Sequence, residues 1–486
     1  MRRAKIVCTM GPSTAGRLRE FVAAGMDVAR FNLSHGSYAD HETMYAEVRA
    51  ASDAVGHAVG VLVDLQGPKI RLGRFADGPV ELATGDTFTI TTDDILGDAH
   101  RCSTTYKGLA HDAVTGEVIL VDDGKVCLRV TETSETDVVT RVEVGGVVSD
   151  NKGLNLPGIA MSVPALSEKD ERDLRWGLHL GADMIALSFV RSAKDIEDVH
   201  HVMDQEDIHV PVIAKIEKPQ AIENLDEIVR AADGVMVARG DLGVELPLEL
   251  VPMVQKRVVT LTRRQAKPVI VATQVLESMI TMPRPTRAET SDCANAVLDG
   301  ADAIMLSGET SVGRYALEAV QTMARIIEAT EEDGLDRIPP LGTRPSTRGG
   351  AVTFAAVETG ELLGAKFLVT FTQSGDSARR MARLRCGIPL LAFTPVPAVR
   401  SQLALVWGVE TFLTDMVQHT DDMFRLSDET LLTAGRCQPG DLVVIVAGSP
   451  PGVAGSLNAM KVHRMGDAVS GLTPAFGQPA IRIPPR

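Results

Sequence analysis

Three residues of the stretch VPVIAKIEKPQAIENLDEIVRAADGVMVARGDLG (residues 210–243) carry the most telling chemistry: Lys215, Glu217 and Asp241. Two carboxylates beside an ammonium make a divalent-metal site next to an anion site. Mg²⁺ and Mn²⁺ take oxygen ligands and keep several waters, so two carboxylates suffice when a substrate supplies the rest. Lys215 lies two residues before Glu217, on the same strand face, and supplies a point charge for phosphoryl oxygens. The plainer alternatives are surface carboxylates just past buried strands and a metal-free salt bridge.

The elements around these residues must bring them together. Residues 210–216 and 234–238 are short apolar runs that end in charge, and residues 219–232 read as one helix between them. Strand, helix, strand with a right-handed crossover returns the chain parallel, so both charged ends meet at one mouth. The same rhythm precedes and follows. Strands centred on Lys5, Val28, Val61, Ile185, Val212, Val235, Ile270 and Ile304 alternate with helices, and a closed (β/α)8 barrel is the simplest solution. Residues 1–68 and 165–335 form this barrel. Helix 167–180 opens on a capping pair, Ser167 and Asp170.

The rhythm breaks between residues 69 and 164. Short Thr- and Val-rich pieces with Gly turns replace helical periodicity, which predicts an inserted all-β domain, a small β-barrel, able to close as a lid. Residues 331–348 read as a linker. A smaller α/β domain follows over 349–470, with strands at 366–370, 390–393, 411–413 and 442–446, and the turn-rich tail 471–486 reads as mobile.

Bulk composition narrows the function classes. A chain of 486 residues is too long for one core. A formal charge of −15 disfavours nucleic acid and anionic membrane as partners. No apolar run approaches the roughly 18 residues of a membrane span. Arg2, Arg3 and Lys5 precede only a short apolar stretch, so no signal peptide is expected. Cys8, Cys102, Cys127, Cys293, Cys386 and Cys437 form no CxxC pair, as befits buried thiols in a reducing cytoplasm.

Other strand ends add charge and hydroxyls: Arg30, Asn32, Ser34, His35 and Asp64, then Arg71 and Thr273. Arginines clamp phosphate bidentately. His35 either faces a ligand or caps the following helix. The segments ARFNLSHG (29–36), DLQGPKIR (64–71), KGLNLPG (152–158), AKIEKPQAIEN (214–224), MVARGDLGVE (236–245), ATQVLESM (272–279), PTRAETSDCANAVLDGADAIMLSGET (285–310) and VTFTQSGDSARR (369–380) together resemble the pyruvate kinase family. They run through the barrel into the last domain.

The resemblance implies transfer of the phosphoryl group of phosphoenolpyruvate to ADP, giving pyruvate and ATP, the last step of glycolysis. Glu217 and Asp241 resemble the ligands of the protein-held Mg²⁺ or Mn²⁺, and a second Mg²⁺ arrives with ADP. Lys215 resembles the lysine that neutralises the phosphoryl group in flight. Arg30 and Arg71 resemble phosphate contacts. The backbone of Arg239, Gly240 and Asp241 resembles the segment that receives the substrate carboxylate. Thr273 resembles the threonine that delivers a proton to the enolate. Asn32, His35, Arg71 and Lys152 are the implied nucleotide contacts. A cytoplasmic homotetramer is also implied.

One departure concerns K⁺. Many members hold it with residues matching Asn32, Ser34, Asp64 and the position of Leu65, and carry Thr, Lys and Glu where this chain has Leu65, Gln66 and Lys69. A fixed ammonium at Lys69 supplies the charge a monovalent cation would, so K⁺ independence is expected. The last domain resembles the family's effector domain. Its small-residue loop Thr372, Ser374, Gly375, Ser377 is a phosphate nest. Asp376 adds negative charge there, which favours a monophosphate effector (AMP or a sugar monophosphate) over a bisphosphate. The competing readings are an unregulated last domain, a barrel lyase of phosphoenolpyruvate chemistry, which would ignore ADP, and a catalytically silent metabolite sensor.

Overall fold

The computed structural model describes residues 2–159, 162–453 and 455–468. Eight parallel strands close a barrel: Lys5–Thr9, Val28–Asn32, Gly60–Asp64, Met184–Leu187, Val212–Ile216, Gly234–Ala238, Val269–Ala272 and Ala303–Leu306. The ring shuts where Lys5 pairs with Ala303. Every strand centre expected from the pattern lies in one of these strands.

Strand alternation builds two cores at once. One set of side chains, including Val63, Val212, Ile216, Val235 and Val271, packs outward under the helices. The other set points inward: Val7, Val28, Leu62, Ala186, Ile213, Met236 and Ile270 fill the barrel as a dry plug. Leu405, from the last domain, joins that plug.

Helix starts follow their capping chemistry. Ser167 accepts the Asp170 N–H and Asp170 returns the bond, as expected, and Ser37 with Asp40 and Thr286 with Glu289 do the same. The single helix expected over 219–232 is instead two, Pro219–Glu223 and Leu225–Ala231. Asn224 leaves helical geometry between them and donates its side-chain amide to the Arg191 carbonyl at 2.9 Å. The linker also starts later than expected. Helix Ala316–Gly334 continues through residue 331 because the Glu331 carboxylate is buried and accepts the Arg3 and Ala4 N–H groups, each at 2.7 Å.

The insert is all-β apart from the short helix Leu109–Asp112. Its hydrogen-bonded ladders make an open six-stranded sheet and a separate two-stranded ribbon around one apolar core, so the expected barrel is not closed. Strands Val126–Thr133 and Asp137–Val144 pair with two register shifts, at Cys127/Leu128 and at Val130/Glu132, typical of bulged, twisted sheets. The last domain is a five-stranded sheet. Four parallel strands match expectation, and a fifth, Leu457–Arg464, adds an antiparallel edge that the pattern did not reveal. It is mostly exposed and mixes apolar with polar residues, which hides it. The tail 471–486 lies outside the described residues.

The barrel floor is tied by a buried acid. Asp27 accepts from Arg2 at 2.7 Å and from the Ile6 N–H at 2.8 Å, with His57 at 3.2 Å. Burial alone would raise this carboxyl, but Arg2, Lys5 and His57 override it and hold Asp27 far below the usual carboxylate range. A depressed folded-state pKa gives stability that is present above the unfolded value, about 3.9, and is lost as pH falls through the folded value. Asp27→Asn should therefore cost about 3 kcal/mol at neutral pH. The gap in melting temperature from the parent should narrow below about pH 4. A gap that is constant from pH 7 to pH 3 would contradict this account.

Candidate active site

Continuing the inward set by one step of two residues places a polar layer on top of the apolar plug. Val28 leads to Arg30, Leu62 to Asp64, Ala186 to Ser188 and Ile213 to Lys215, then Glu217. The C-terminal mouth of the barrel is charged for this reason.

The layer is one connected network. Lys215 Nζ lies 2.8 Å from Glu217 Oε1 and donates to Ser188 Oγ at 2.7 Å. It is 3.4 Å from Asp64 Oδ1, an ion pair longer than a good hydrogen bond. Arg30 Nε donates to Asp64 Oδ2 at 2.6 Å, and its Nη1 donates to Thr9 Oγ1 at 2.9 Å. Glu217 Oε2 accepts the Phe189 N–H at 2.8 Å. Ser188 and Thr9 were missed in the sequence reading. Strand alternation carried one step of two residues past Ala186 and Val7 would have found both.

Electrostatics follow from the packing. Burial works against the Lys215 ammonium, but Asp64 and Glu217 outweigh it and raise its pKa, so it stays charged at any working pH. Asp64 is held below the ordinary carboxylate range: burial would raise it, and Lys215 and Arg30 prevail. Glu217 goes the other way. Burial is the largest influence, Lys215 opposes it and the negative charge of Asp241 adds to it, leaving the carboxyl raised. A buried carboxylate beside a second negative charge is relieved by a divalent cation. Glu217 and Asp241 are therefore the residues that fit a Mg²⁺ or Mn²⁺ ion. Among the described residues no group of three or more His, Cys, Asp or Glu could hold a metal, so such an ion would complete its shell with substrate or water oxygens.

The far wall of the mouth is strained. Thr273 directly follows the seventh strand and sits at φ 67°, a left-handed conformation unusual for a β-branched residue. Such geometry costs about 1–3 kcal/mol and clusters at working sites. Thr273 Oγ1 accepts the Gly240 N–H at 2.6 Å and donates to the Ala272 carbonyl at 2.6 Å. A Cβ on Gly240 would come within 3.3 Å of that hydroxyl, so glycine lets the two chains approach. The helix Arg239–Glu245 begins here, and the Arg239 guanidinium turns aside to the Thr273 carbonyl at 2.9 Å and to Asp292 at 2.7 Å.

The remaining residues are more scattered. Asn32 and His35 line a cavity of about 610 Å³ with Thr9, Gly11 and Pro12. Partial burial with the nearby cations Lys69, Arg71 and Arg30 lowers the His35 pKa. His35 does not cap the next helix, because Ser37 does. Arg71 donates to the Asn151 carbonyl at 2.9 Å at the base of the insert. Lys152 pairs with Asp122 at 3.0 Å within the insert, so the structure does not bring it to Lys215 or Asp241. Ser34 gives its N–H to Asn32 Oδ1 at 3.2 Å. Leu65 buries its side chain under the helices and uses its carbonyl to accept Ser188 Oγ at 2.7 Å. In the last domain Gly375, at φ 78°, donates its N–H to Thr372 Oγ1 at 2.9 Å, and Ser377 meets Thr370 at 2.8 Å. Thr372, Ser374 and Ser377 face a shared cleft with Gly452 and Gly455.

A parallel barrel with two carboxylates, a buried ammonium and a guanidinium at its C-terminal mouth defines a metal-assisted phosphotransferase. Comparison with known proteins makes this specific. Residues 1–320 match the family model "Pyruvate kinase, barrel domain" and residues 350–463 match "Pyruvate kinase, alpha/beta domain". A pyruvate kinase of Mycobacterium tuberculosis is 61% identical over 468 residues, covering 96% of this chain and 99% of that protein. One from Geobacillus stearothermophilus is 42% identical, covering 99% of this chain and 84% of that one. A crystal structure of a pyruvate kinase from Cryptosporidium parvum superposes with a TM-score of 0.89 at 34% identity, covering 96% of each chain. The chain belongs to the pyruvate kinase family. No helix among the described residues is long and apolar enough to cross a membrane.

Proposed function

We propose that this chain transfers the phosphoryl group of phosphoenolpyruvate to ADP at the barrel mouth. The observation that carries this reading is the Lys215, Glu217, Asp64 and Arg30 network, which gathers fixed charge where a phosphoryl group would pass. Lys215 and Arg30 neutralise its oxygens, which is most of what phosphoryl transfer asks of a protein. Glu217 and Asp241 would hold a divalent ion, which would supply Lewis-acid polarisation of the substrate oxygens. The backbone at Arg239, Gly240 and Asp241 receives the substrate carboxylate, and the Thr273 hydroxyl, held by Gly240, relays the proton that turns enolate into ketone. ADP occupies the cavity at Asn32 and His35, and the insert bearing Arg71 and Lys152 closes over it. Its closure would bring Lys152 from Asp122 toward the nucleotide. ADP-dependent pyruvate formation with Mg²⁺ tests the whole reading: pyruvate released without ADP would overturn it in favour of a lyase, and no turnover at all in favour of a silent sensor.

The same assay tests K⁺ independence. Asn32 Oδ1 takes the Ser34 N–H and Asp64 Oδ2 takes Arg30, Leu65 offers no side-chain oxygen, and Lys69 lies within the charge influence of Asp241 and Lys215. Turnover should change less than about twofold between K⁺-free buffer and roughly 100 mM K⁺ at constant ionic strength. A many-fold rise would discard the role given to Lys69.

The loop Thr372, Ser374, Gly375, Ser377 is the proposed effector site, for AMP or a sugar monophosphate. Arg380 bonds Asp376 at 2.5 Å, which offsets the negative charge at the loop. AMP or a sugar monophosphate should lower half-saturation for phosphoenolpyruvate, and an unchanged value would leave the domain unregulated. Exposed Leu248, Leu250 and Met253 support a homotetramer, which light scattering decides.

A further inference from the structure

A buried ion pair stands directly behind the two carboxylates that fit a divalent ion. Lys218 follows Glu217 in the chain, and Glu245 closes the helix Arg239–Glu245, which carries Asp241 in its first turn. Lys218 Nζ donates to Glu245 Oε1 at 2.5 Å, and the two residues are only 5% and 6% exposed. Backbone periodicity sets this placement. Lys218 is extended, at φ −120° and ψ 148°, so its side chain leaves the chain opposite to that of Glu217. Glu217 turns to Lys215, and Lys218 turns to Glu245. Asp241 and Glu245 are four residues apart on one helix and share a face.

The two carboxylates sit on segments that the barrel ladder no longer joins. Pairing between the fifth and sixth strands ends where Ile216 meets Val237. Beyond that point the bond of Lys218 to Glu245 ties the segments together. The Lys218 ammonium also lies 5.5 Å from the centre of the Phe189 ring. Phe189 is held at φ 55°, a strained backbone for an aromatic residue, and its N–H is the one that Glu217 Oε2 accepts at 2.8 Å. The pair therefore reaches Glu217 by two routes, along the chain and through Phe189. As a mere prop it would be expensive. Glu245 Oε2 is buried without a hydrogen-bond partner, and a buried ion pair commonly stabilises a fold no more than apolar side chains of similar volume. What the charges add is direction, through one short bond of fixed geometry. Mg²⁺ asks for that precision, because it takes near-ideal octahedral bonds of about 2.1 Å.

We propose that Lys218 and Glu245 are positioning residues, which fix the separation of Glu217 and Asp241 and so tune the site to a small divalent cation. The inference rests on the assignment of the ion to those two carboxylates. Ca²⁺ accepts longer and more varied bonds, of about 2.3–2.6 Å, and loses less when the spacing relaxes. Loosening the pair should therefore weaken Mg²⁺ and Mn²⁺ and shift preference toward Ca²⁺, with both carboxylates still in the chain.

The test is Mn²⁺ titration of the full chain followed by electron paramagnetic resonance, with Mg²⁺ and Ca²⁺ as competitors. The double variant Lys218→Met/Glu245→Met removes both charges at once and leaves neither buried alone. It should melt close to the parent, bind Mn²⁺ about tenfold or more weakly, and let Ca²⁺ gain on Mg²⁺ as a competitor. Glu245→Asp keeps both charges and shortens one arm by a methylene, so it alters spacing and not net charge. It should shift Mn²⁺ binding and the Ca²⁺ preference in the same direction by about fivefold, and it decides the matter if the double variant does not fold. Mn²⁺ binding within about twofold of the parent in either folded variant would overturn the proposal, while weakened binding in Glu217→Gln kept the ion in place. Equal loss of Mg²⁺ and Ca²⁺ would also overturn it, since the pair would then support the fold and not the spacing. Binding unaltered in Glu217→Gln would instead overturn the assignment of the ion, and the role of the pair with it.

Discussion

Lys215→Ala should abolish nearly all turnover, lowering kcat by roughly 10³-fold or more, while half-saturation for phosphoenolpyruvate moves far less. The asymmetry follows from when the ammonium acts. In the resting site its charge is already spent on Glu217 and Asp64. The phosphoryl group needs it most in flight, so its loss falls on the transition state more than on binding. Single-turnover phosphoryl transfer measured beside steady-state kinetics would show the deficit in the chemical step. Removal also leaves two buried carboxylates facing each other, and melting of the variant must be checked. Ser188→Ala provides a comparison, because it keeps the ammonium and deletes only the hydroxyl's two hydrogen bonds, from Lys215 and to the Leu65 carbonyl, and it should lose activity much more modestly. Turnover of Lys215→Ala within tenfold of the parent would remove Lys215 from the chemistry.

Glu217→Gln should raise the Mg²⁺ concentration for half-maximal activity about a hundredfold or more and lower kcat at any practical metal level. The substitution is nearly isosteric. An amide oxygen still accepts the Phe189 N–H, so the loop after the fourth strand stays in place. Charge is what changes. The raised carboxyl of Glu217 reflects burial and Asp241, and a cation bound between them reverses that penalty. Without one negative charge the cation would lose an anchor, and Lys215 loses its closest charged partner. Titration with Mn²⁺ followed by electron paramagnetic resonance reads metal binding apart from turnover. An unaltered metal requirement would place the ion elsewhere.

Much of this protein was legible in its residues before any coordinates. Eight apolar runs with charged ends, separated by helical periods, admit few solutions other than a closed parallel barrel, because parallel strands need crossovers and buried faces. Lys215, Glu217 and Asp241 were legible as neighbours because buried strands that end in charge put that charge at one mouth. The break in rhythm at residue 69 marked the insert for the same reason: helical periodicity vanished. Two errors were local. Asn224 splits a helix through a hydrogen bond to a residue 33 positions away, and Glu331 prolongs another by reaching the chain's first residues. Long-range partners of this kind leave no trace in a local window.

Tertiary structure alone decided the rest. Strand alternation puts Ser188 and Thr9 at the mouth, but barrel closure set them beside Lys215 and Arg30. The left-handed backbone at Thr273 has no composition signal; the Gly240 N–H and the packing behind it impose it. Lys152 sits with Asp122 because the insert folds as its own unit. The buried ion pair of Arg385 and Asp302, 2.8 Å long, joins the last domain to the barrel from stretches far apart in the chain. Residue order sets which side chains face the same way along a strand or helix, since that periodicity is built into the backbone. Which faces meet is set by burial and by the pairing of groups distant in the chain, and those terms exist only once the domains have packed.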